Sequence, residues 1–421
     1  MKYLVDASLI YFVTGAFWTP LDYLVPLVSL HEEKMTLFPP WLNISLISWS
    51  LPFLWIGVSM TLRRAVDAGR SPWASLIFFI PLLNYLMMFI FCILPSSPKI
   101  VEAAKSATFN VKTRFKSAVL GIGASILVGM FFIIINVFAL KAYGLALFMA
   151  TPFVLGVVSA FVFNYQNPRS LLETSHVVTL GLFIIAGALL LFALEGLLCV
   201  AMAFPLGLIV ALLGGMIGRT IALRYPATVK GMTLGMLLLP ASVVFDKLNQ
   251  FDFTYEAVST IEIQGSVDKV WQQVIAFNEI ESSLDWHFRL GIAYPVRASI
   301  SGVGVGAVRN CGFSTGSFVE PITVWDEARR LTFDVVAQPP LLQEWSPYQR
   351  VYAPHLDGFF RAVRGEFRLT QLASEKTRLE GSTWFRLDIY PHFYWRIFAD
   401  AIVGSIHERV LRQVKKDSES L

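Results

Sequence analysis

The chain is 421 residues long, and 55% of its residues are hydrophobic while only 15% are charged. Soluble globular domains carry about a quarter charged residues, so the composition excludes an ordinary soluble protein. The three cysteines, Cys92, Cys199 and Cys311, exclude a disulfide scaffold, and their spacing matches no zinc site.

The net charge of +4 is unevenly distributed along the chain. Residues 1–246 carry 15 basic and 9 acidic side chains among long apolar runs, whereas residues 247–421 carry 19 basic and 21 acidic side chains. This shift predicts a helical membrane region followed by a soluble domain. Three domains are expected, at residues 1–98, 99–246 and 250–421.

Six apolar runs are long enough for membrane-spanning helices, which need about 20 apolar residues. They are residues 8–30, 41–62, 117–140, 143–163, 177–199 and 201–223. Two further runs are poor spans, because Pro81 and Asn84 interrupt residues 72–94 and because residues 231–245 are short and contain Pro240. Irregular backbone in a membrane must be covered by protein or reached by water, so the break near Pro81 is expected to pack against other helices.

Basic residues indicate how the helices are oriented, since lysine and arginine concentrate in cytoplasmic loops. With six spans, 13 of the basic side chains of residues 1–246 face one side, and only Lys34 and Lys141 face the other. If all eight runs crossed, the basic segment 99–116 would move outside. The distribution therefore predicts six spans with both termini in the cytoplasm. Seven spans with an external C-terminal domain are the main alternative.

The loop RRAVDAGRSPW, which starts at Arg63, joins two apolar runs. Asp67 is placed to pair with Arg63 or Arg64 at helical spacing. Gly69 is suited to end the first helix, and Ser71 to cap the next one. The loop is thus expected to be a cytoplasmic connection between two membrane segments.

This loop resembles a bacterial inner-membrane family known as domain of unknown function 805. The matching residues are Arg63, Arg64, Asp67, Gly69, Ser71 and Trp73. The resemblance extends over roughly residues 10–98, and Val66 stands where the family usually has a histidine. It implies a location in the bacterial inner membrane and no particular reaction.

Polar residues within apolar runs are the first candidates for function in a membrane protein. Glu195 is the main one here, and it is either a proton or ion site or a residue at a helix end near the interface. Small residues allow helices to pack closely. The glycines that predict such packing are Gly121, Gly123, Gly129, Gly214, Gly215 and Gly218.

The sequence pattern changes at Phe253. The segment FTYEAVSTIEI alternates and predicts a strand, and two short helices follow, the first capped by Ser266 with Val270, Trp271 and Val274 on its apolar face. Further strands are expected at residues 295–301, 305–314, 317–325, 330–337, 359–371 and 377–389, before a closing helix at 393–416. The apolar face of that helix consists of Trp395, Phe398, Ile402, Ile406, Val410 and Val414.

This order predicts an α+β fold in which a curved antiparallel sheet wraps around the long C-terminal helix. It resembles the helix-grip superfamily (START-like, polyketide-cyclase-like and lipid-transport proteins) over residues 253–416. The best matching segments are residues 302–335 and 364–385. The resemblance implies a cavity for an apolar ligand between helix and sheet, and it fixes no reaction because the fold hosts many activities.

Strand alternation and the helix face together predict which residues line such a cavity. They are Phe367, Leu369, Leu379, Gly381, Thr383, Phe385, Phe398, Ile402 and Ile406. The proline-rich segment 338–357 is expected to be a lid or a membrane-docking surface through Trp345, Tyr348 and Tyr352, or else a stiff loop along a sheet edge. His407 is expected on a solvated face and Cys311 in the core. No catalytic residue, metal site or cofactor is predicted.

Three functions are compatible with these features. The first is a membrane-anchored module that binds a lipid or another hydrophobic small molecule. The second is a membrane-associated enzyme of the cyclase or dehydratase type, which a buried histidine–carboxylate pair would favour. The third is a transporter regulated by its soluble domain. Nucleic acid is excluded as a partner because the soluble part has no basic stripe, and the sequence leaves the oligomeric state open.

Overall fold

The structure is a computed structural model that describes most of the chain. The described residues are 2–20, 22, 39–70, 74, 77–78, 83–95, 111–165, 167–192, 194–224, 241–246, 253–343 and 358–420. Backbone contacts divide the chain into two compact units. One comprises Met1–Leu191 and Val200–Gln250, and the other comprises Phe192–Cys199 and Phe251–Leu421.

The N-terminal half of the chain is helical. Its helices are α1 (Lys2–Thr14), α2 (Pro40–Asp67), α3 (Leu83–Ile93), α4 (Val111–Ile134), α5 (Thr151–Asn164), α6 (Leu171–Leu191) and α7 (Leu197–Arg224). A π-helical turn, Ile135–Ala139, extends α4, and another, Ala146–Ala150, leads into α5.

Four of the described helical segments are long and apolar enough to cross a membrane. They are Phe115–Ala139, Ala146–Asn164, Leu171–Leu190 and Leu197–Arg224, and they correspond to the last four predicted spans. The protein is therefore an integral membrane protein. The 11 residues of α3 rise only about 1.5 Å each and cannot cross a hydrocarbon core of about 30 Å. Pro81 lies outside the described residues, and the total of six, seven or eight spans stays a prediction.

Glycines bring α5 and α7 into backbone contact. A Cβ atom on Gly214 would lie 2.1 Å from the carbonyl oxygen of Phe153, and one on Gly218 would lie 2.2 Å from that of Val157. The close packing predicted for these two glycines is thus confirmed. Gly123 differs, because a Cβ there would meet nothing within 4 Å.

The C-terminal part forms the α+β unit. Its elements are β1 (Thr254–Ile263), α8 (Val267–Ile275), α9 (Trp286–Arg289), β2 (Pro295–Ser301), β3 (Val308–Phe313), β4 (Gly316–Asp326), β5 (Arg330–Asp334), β6 (Phe360–Ala373), β7 (Lys376–Leu387) and α10 (His392–Ser420). The predicted strands and closing helix are all present. The start of β3 is later than predicted because Gly302, Gly304 and Gly306 adopt positive φ angles of 91°, 85° and 91° in a tight loop.

The seven strands form one sheet in the order β1-β7-β6-β5-β4-β3-β2. Every neighbouring pair is antiparallel, and the pairs β2–β3, β4–β5 and β6–β7 contain register shifts that increase curvature. The helix α10 contacts both edge strands, β1 and β2, as well as β7. A sheet whose opposite edges touch one helix must curl around it, so the unit has the predicted helix-grip fold.

The core of this unit lies between the sheet and two helices. Val270, Trp271 and Val274 of α8 are buried against Leu331 of β5 and Leu411 of α10. The apolar face predicted for α8 is therefore confirmed.

On α10 the buried face differs by one position from the prediction. Ala399 and Val403 are buried, whereas Phe398 and Ile402 are only partly buried. The prediction followed the large side chains Phe398 and Ile402, whereas Ala399 and Val403 are the residues buried against Tyr255 and Phe385 of the sheet. Of the remaining predicted positions, Trp395, Val410 and Val414 are buried as expected, and Ile406 is partly buried.

Candidate functional site

A cavity lies between the inner face of the sheet and α10, and it encloses about 760 Å³ of empty space, including its open mouth. Most of its lining is apolar, with aromatic side chains from the strands and aliphatic side chains from the helix. These include Phe318, Phe333 and Phe367 on the sheet and Ile406, Val410 and Leu411 on α10. Small-molecule sites are concave and have a mostly apolar lining, so the cavity has the character of a ligand site.

The inner walls follow from strand alternation. On β4, Phe318, Glu320 and Ile322 are buried, which places every second side chain on the inner face. The same alternation on β3 turns Arg309 and Cys311 inward. The two strands thus place two charged side chains, Arg309 and Glu320, in an otherwise apolar wall.

Arg309 and Glu320 form an ion pair on the wall of this cavity. They are direct partners across β3 and β4, and Arg309 Nη1 donates to Glu320 Oε2. Their side chains are only 2% and 7% exposed. Neither residue was among the predicted cavity residues, because an arginine in a buried strand position runs against the hydrophobic pattern.

The surroundings of the pair affect two acidic groups. Burial raises the pKa of the Glu320 carboxyl, and the guanidinium of Arg309 opposes that change. Burial also raises the pKa of the Cys311 thiol to about 12. A thiol that stays protonated is a poor nucleophile, so Cys311 acts as a small wall residue, as the sequence predicted.

A second polar group, His407 on α10, lines the opposite wall. Its Nε2 atom lies 2.7 Å from Thr383 Oγ1, and its Nδ1 atom lies 3.2 Å from Ser259 Oγ. The expectation that His407 faces solvent is therefore wrong: the helix turns it toward two strand hydroxyls. Burial lowers the pKa of the imidazole to about 4, so the ring is neutral at physiological pH.

We expect His407 to make the α+β unit sensitive to acid. Its pKa of about 4 in the folded state is below the value of about 6.5 in an unfolded chain. Stability from the neutral ring is therefore complete above pH 6.5 and is lost as the pH falls toward 4. At pH 5 the loss relative to pH 7 should be at most about 2 kcal/mol.

Thermal unfolding of the full chain in phospholipid nanodiscs at pH 7 and pH 5 measures this loss. A His407→Gln variant keeps a donor and an acceptor but does not titrate, so its stability should change less between the two pH values than that of the wild type. Equal changes in both proteins would show that the imidazole is accessible to protons in the folded state.

The structure places the predicted cavity residues in three groups. Phe367, Gly381, Thr383 and Ile406 line the cavity. Leu369 and Leu379 are buried in the main core beside it. The remaining three lie elsewhere: Phe385 in a smaller core with Tyr255, Phe398 against the rings of Tyr394 and Trp395, and Ile402 partly buried on α10.

The strands β5 and β6 carry a separate charged cluster. Glu366 accepts hydrogen bonds from Arg368 at 2.7 Å, Arg364 at 3.3 Å and the Thr332 hydroxyl at 3.1 Å. Thr332 and Glu366 are cross-strand partners on β5 and β6, and Arg364, Glu366 and Arg368 alternate along one face of β6. Arg364 and Glu366 also border the cavity, so the cluster adjoins its wall.

The start of the proline-rich segment is described and contributes to the site. Leu341 lines the cavity, and its neighbour Leu342 bridges to Ile292. The residues expected to act as a lid or docking surface, Trp345, Tyr348 and Tyr352, lie outside the described residues, and their role stays a prediction.

The motif of the membrane unit is partly described. Gly69 has φ +69° immediately after α2, which ends at Asp67, so it terminates that helix as predicted. Asp67 Oδ1 lies 3.7 Å from Arg224 Nη2 at the end of α7, although a pairing with Arg63 or Arg64 was expected.

The other motif residues add little to a site. Arg64 Nη2 donates to the carbonyl oxygen of Leu94 at 2.7 Å, and Arg63 is exposed. Ser71 and Trp73 lie outside the described residues. Glu195 lies in the turn between α6 and α7, a position at a helix end.

Residues 2–102 match the family model described as "Protein of unknown function (DUF805)". No curated protein matches the sequence.

Solved structures resemble the C-terminal part. Norcoclaurine synthase from Thalictrum flavum is 14% identical, with 41% of this chain and 90% of that chain covered and a TM-score of 0.27. The Zhui aromatase/cyclase from Streptomyces sp. R1128 is 15% identical, covering 40% and 94% with a TM-score of 0.27. A START superfamily protein from Mycobacterium smegmatis is 11% identical, covering 39% and 97% with a TM-score of 0.26. The fold assignment rests on the strand order and the position of α10.

Proposed function

We propose that this protein binds a lipid or another hydrophobic small molecule in its helix-grip domain, which the membrane helices anchor beside the bilayer. The observation that supports this is the cavity between sheet and α10. A concave site bordered by phenylalanine and aliphatic side chains suits an apolar ligand, because transfer of apolar surface from water into such a site is favourable.

The polar groups of the cavity favour binding over catalysis. The described hydrogen bonds of His407 join it to the hydroxyls of Thr383 and Ser259, and Glu320 is held by Arg309. A general base works best with a pKa near the operating pH, whereas burial lowers the pKa of His407 to about 4. A cyclase or dehydratase activity is thus the less favoured alternative.

Transport is favoured less still. Glu195, the proposed ion site, lies in a turn between helices. Asn136 and Asn164, two buried polar residues of the described spans, donate to carbonyl oxygens of their own helices at 2.8 Å. Asn164 Oδ1 also accepts from the Arg169 N–H at 3.1 Å, so hydrogen bonds account for that side chain, whereas Oδ1 of Asn136 has no hydrogen-bond partner among the described residues.

The domain is proposed to lie on the cytoplasmic side of a bacterial inner membrane. The charge asymmetry of the sequence supports this orientation. Two contacts within the membrane unit also support it. Arg219 donates to the carbonyl oxygen of Arg169 at 2.8 Å, and Arg224 lies 3.7 Å from Asp67. All four residues belong to the side that the asymmetry assigns to the cytoplasm.

A Gly381→Leu substitution tests the proposed function. A Cβ atom at this position would lie 3.5 Å from the Phe367 ring and 3.7 Å from Leu411, so the added side chain should extend into the cavity. We expect labelling of cavity peptides by a photoreactive long-chain alcohol to fall at least tenfold in the full chain in nanodiscs. Overpacking a filled core costs about 1–3 kcal/mol. We expect the free energy of unfolding of Gly381→Leu to fall by less than this amount, as measured by thermal unfolding.

Gly404→Leu is the matched control, since a Cβ atom at Gly404 on α10 meets nothing within 4 Å. It should bind the probe as the wild type does. Undiminished labelling in Gly381→Leu would place the ligand elsewhere. Severe unfolding of that variant together with an unlabelled wild type would mean that the interior is a filled core, and the proposal would fall.

A further inference from the structure

Arg309 has a donor that the ion pair does not use. Its Nη1 atom donates to Glu320, whereas its buried Nε atom has no hydrogen-bond acceptor among the described residues. The side chain lines the cavity and is only 2% exposed. A buried N–H group without an acceptor is costly, so an acceptor that enters the cavity at this point gains a hydrogen bond.

The guanidinium is also held in place by aromatic rings. Its central carbon lies 5.3 Å from the ring centroid of Phe333 and 5.6 Å from that of Phe367. Both rings line the cavity. Any ligand atom that reaches Nε is therefore next to apolar surface, which a hydrocarbon body can cover.

The charge balance of the wall selects against anions. The positive charge of Arg309 is matched by the carboxylate of Glu320, and that of Arg364, which also borders the cavity, is matched by Glu366. The other titratable groups of the lining are a protonated thiol, Cys311, and a neutral imidazole, His407. A carboxylate or phosphate placed at Nε would lie beside Glu320, and the second cation of the described lining, Arg364, is already paired with Glu366. Like charges at close range in a buried site repel strongly.

Resting on the function proposed above, we infer that the ligand is a neutral amphiphile: a long apolar molecule with one uncharged oxygen, such as a hydroxyl or ketone, that accepts a hydrogen bond from Arg309 Nε. The oxygen sets the orientation of the molecule, and the apolar body fills the space between Phe367 and α10.

Photoreactive probes of equal chain length that differ at one end test this inference. The set consists of a primary alcohol, a methyl ketone, a carboxylate and a plain hydrocarbon, each with the same diazirine. The full chain in nanodiscs is irradiated, and labelling of the peptides with Phe333 and Phe367 is divided by labelling of α7 peptides, which corrects for partition into the bilayer. We expect the alcohol and the ketone to label the cavity about tenfold more than the carboxylate or the hydrocarbon, since one hydrogen bond of ordinary strength gives such a factor.

Variants assign the preference to Arg309. The double variant Arg309→Met/Glu320→Leu removes both charges and leaves no unpaired partner, and it should label equally with the alcohol and the hydrocarbon. The double variant Arg412→Met/Glu408→Leu removes an exposed ion pair of α10 that is not part of the described cavity lining, and it should keep the tenfold preference of the wild type.

The outcomes separate this inference from the proposal on which it rests. Equal labelling by all four probes in the wild type, or stronger labelling by the carboxylate, overturns the neutral amphiphile and leaves a hydrophobic ligand site. Absence of cavity labelling by every probe overturns both. If the double variant Arg309→Met/Glu320→Leu keeps the preference for the alcohol, a residue other than Arg309 donates the hydrogen bond to the ligand oxygen, and the inference is overturned.

Discussion

Replacing Arg309 with methionine should destabilise the α+β unit by about 3–5 kcal/mol, since loss of one partner leaves the other charge buried and uncompensated. Glu320 is 7% exposed on its side chain and faces the cavity wall. Methionine retains most of the apolar bulk that packs on Phe333 and Phe367, so the loss reports mainly on the charge. Thermal unfolding of the full chain in nanodiscs measures it.

The double variant Arg309→Met/Glu320→Leu should recover most of this loss, because replacing both members of a buried pair with apolar residues is often neutral or stabilising. An exposed pair gives the control. Arg412 and Glu408 are 59% and 58% exposed on α10, and Arg412→Met should cost less than about 1 kcal/mol. A small effect of Arg309→Met would mean that Glu320 takes up a proton or that water reaches it.

Gly214→Leu in α7 should disrupt the membrane unit even more strongly. A Cβ atom there would lie 2.1 Å from the carbonyl oxygen of Phe153 and 3.2 Å from its Cα. Backbone atoms cannot move aside as a side-chain rotamer can, so α5 and α7 must separate along their contact. Loss of close packing and carbonyl contacts should lower stability by more than about 3 kcal/mol, beyond the usual cost of overpacking.

The matched control is Gly187→Leu in α6, where a Cβ atom meets none of the described residues within 4 Å. Size-exclusion chromatography after heating in detergent compares the two variants with the wild type. Gly214→Leu should aggregate at a clearly lower temperature, and Gly187→Leu should behave as the wild type. Similar behaviour of both variants would contradict the tight crossing of α5 and α7.

Sequence patterns were sufficient to predict the soluble fold because its strands alternate clearly. The first of the six consecutive strands was expected at residues 295–301 and lies at Pro295–Ser301, and the closing helix was found within a few residues of its predicted limits. On α10 the prediction failed in detail because alanine does not mark a buried face. Ala399 is buried against strand residues, while the larger Phe398 is only partly buried.

The polar part of the cavity was beyond reach of sequence patterns. Each of Arg309 and Glu320 looks like a surface residue when its strand is considered alone. The register places them opposite each other across β3 and β4, so they form an ion pair that offsets part of the cost of burying each charge. The prediction of a solvated His407 was wrong for a similar reason. Its two hydroxyl partners, Ser259 and Thr383, lie on strands that are distant in sequence.

The pairing of the first strand with the last one also constrains how the chain is made. Thr254 of β1 pairs with Arg386 of β7, and β1 has no other neighbour among the described strands. At about 5–20 residues per second, the ribosome needs roughly 7 to 26 seconds to supply the partner strand. During that interval the spanning helices are already synthesised, while β1 exposes an unpaired edge, the kind of surface that chaperones cover during synthesis. The soluble unit can close only after β7 has been synthesised, so termination before β7 would leave an anchored chain with an open sheet.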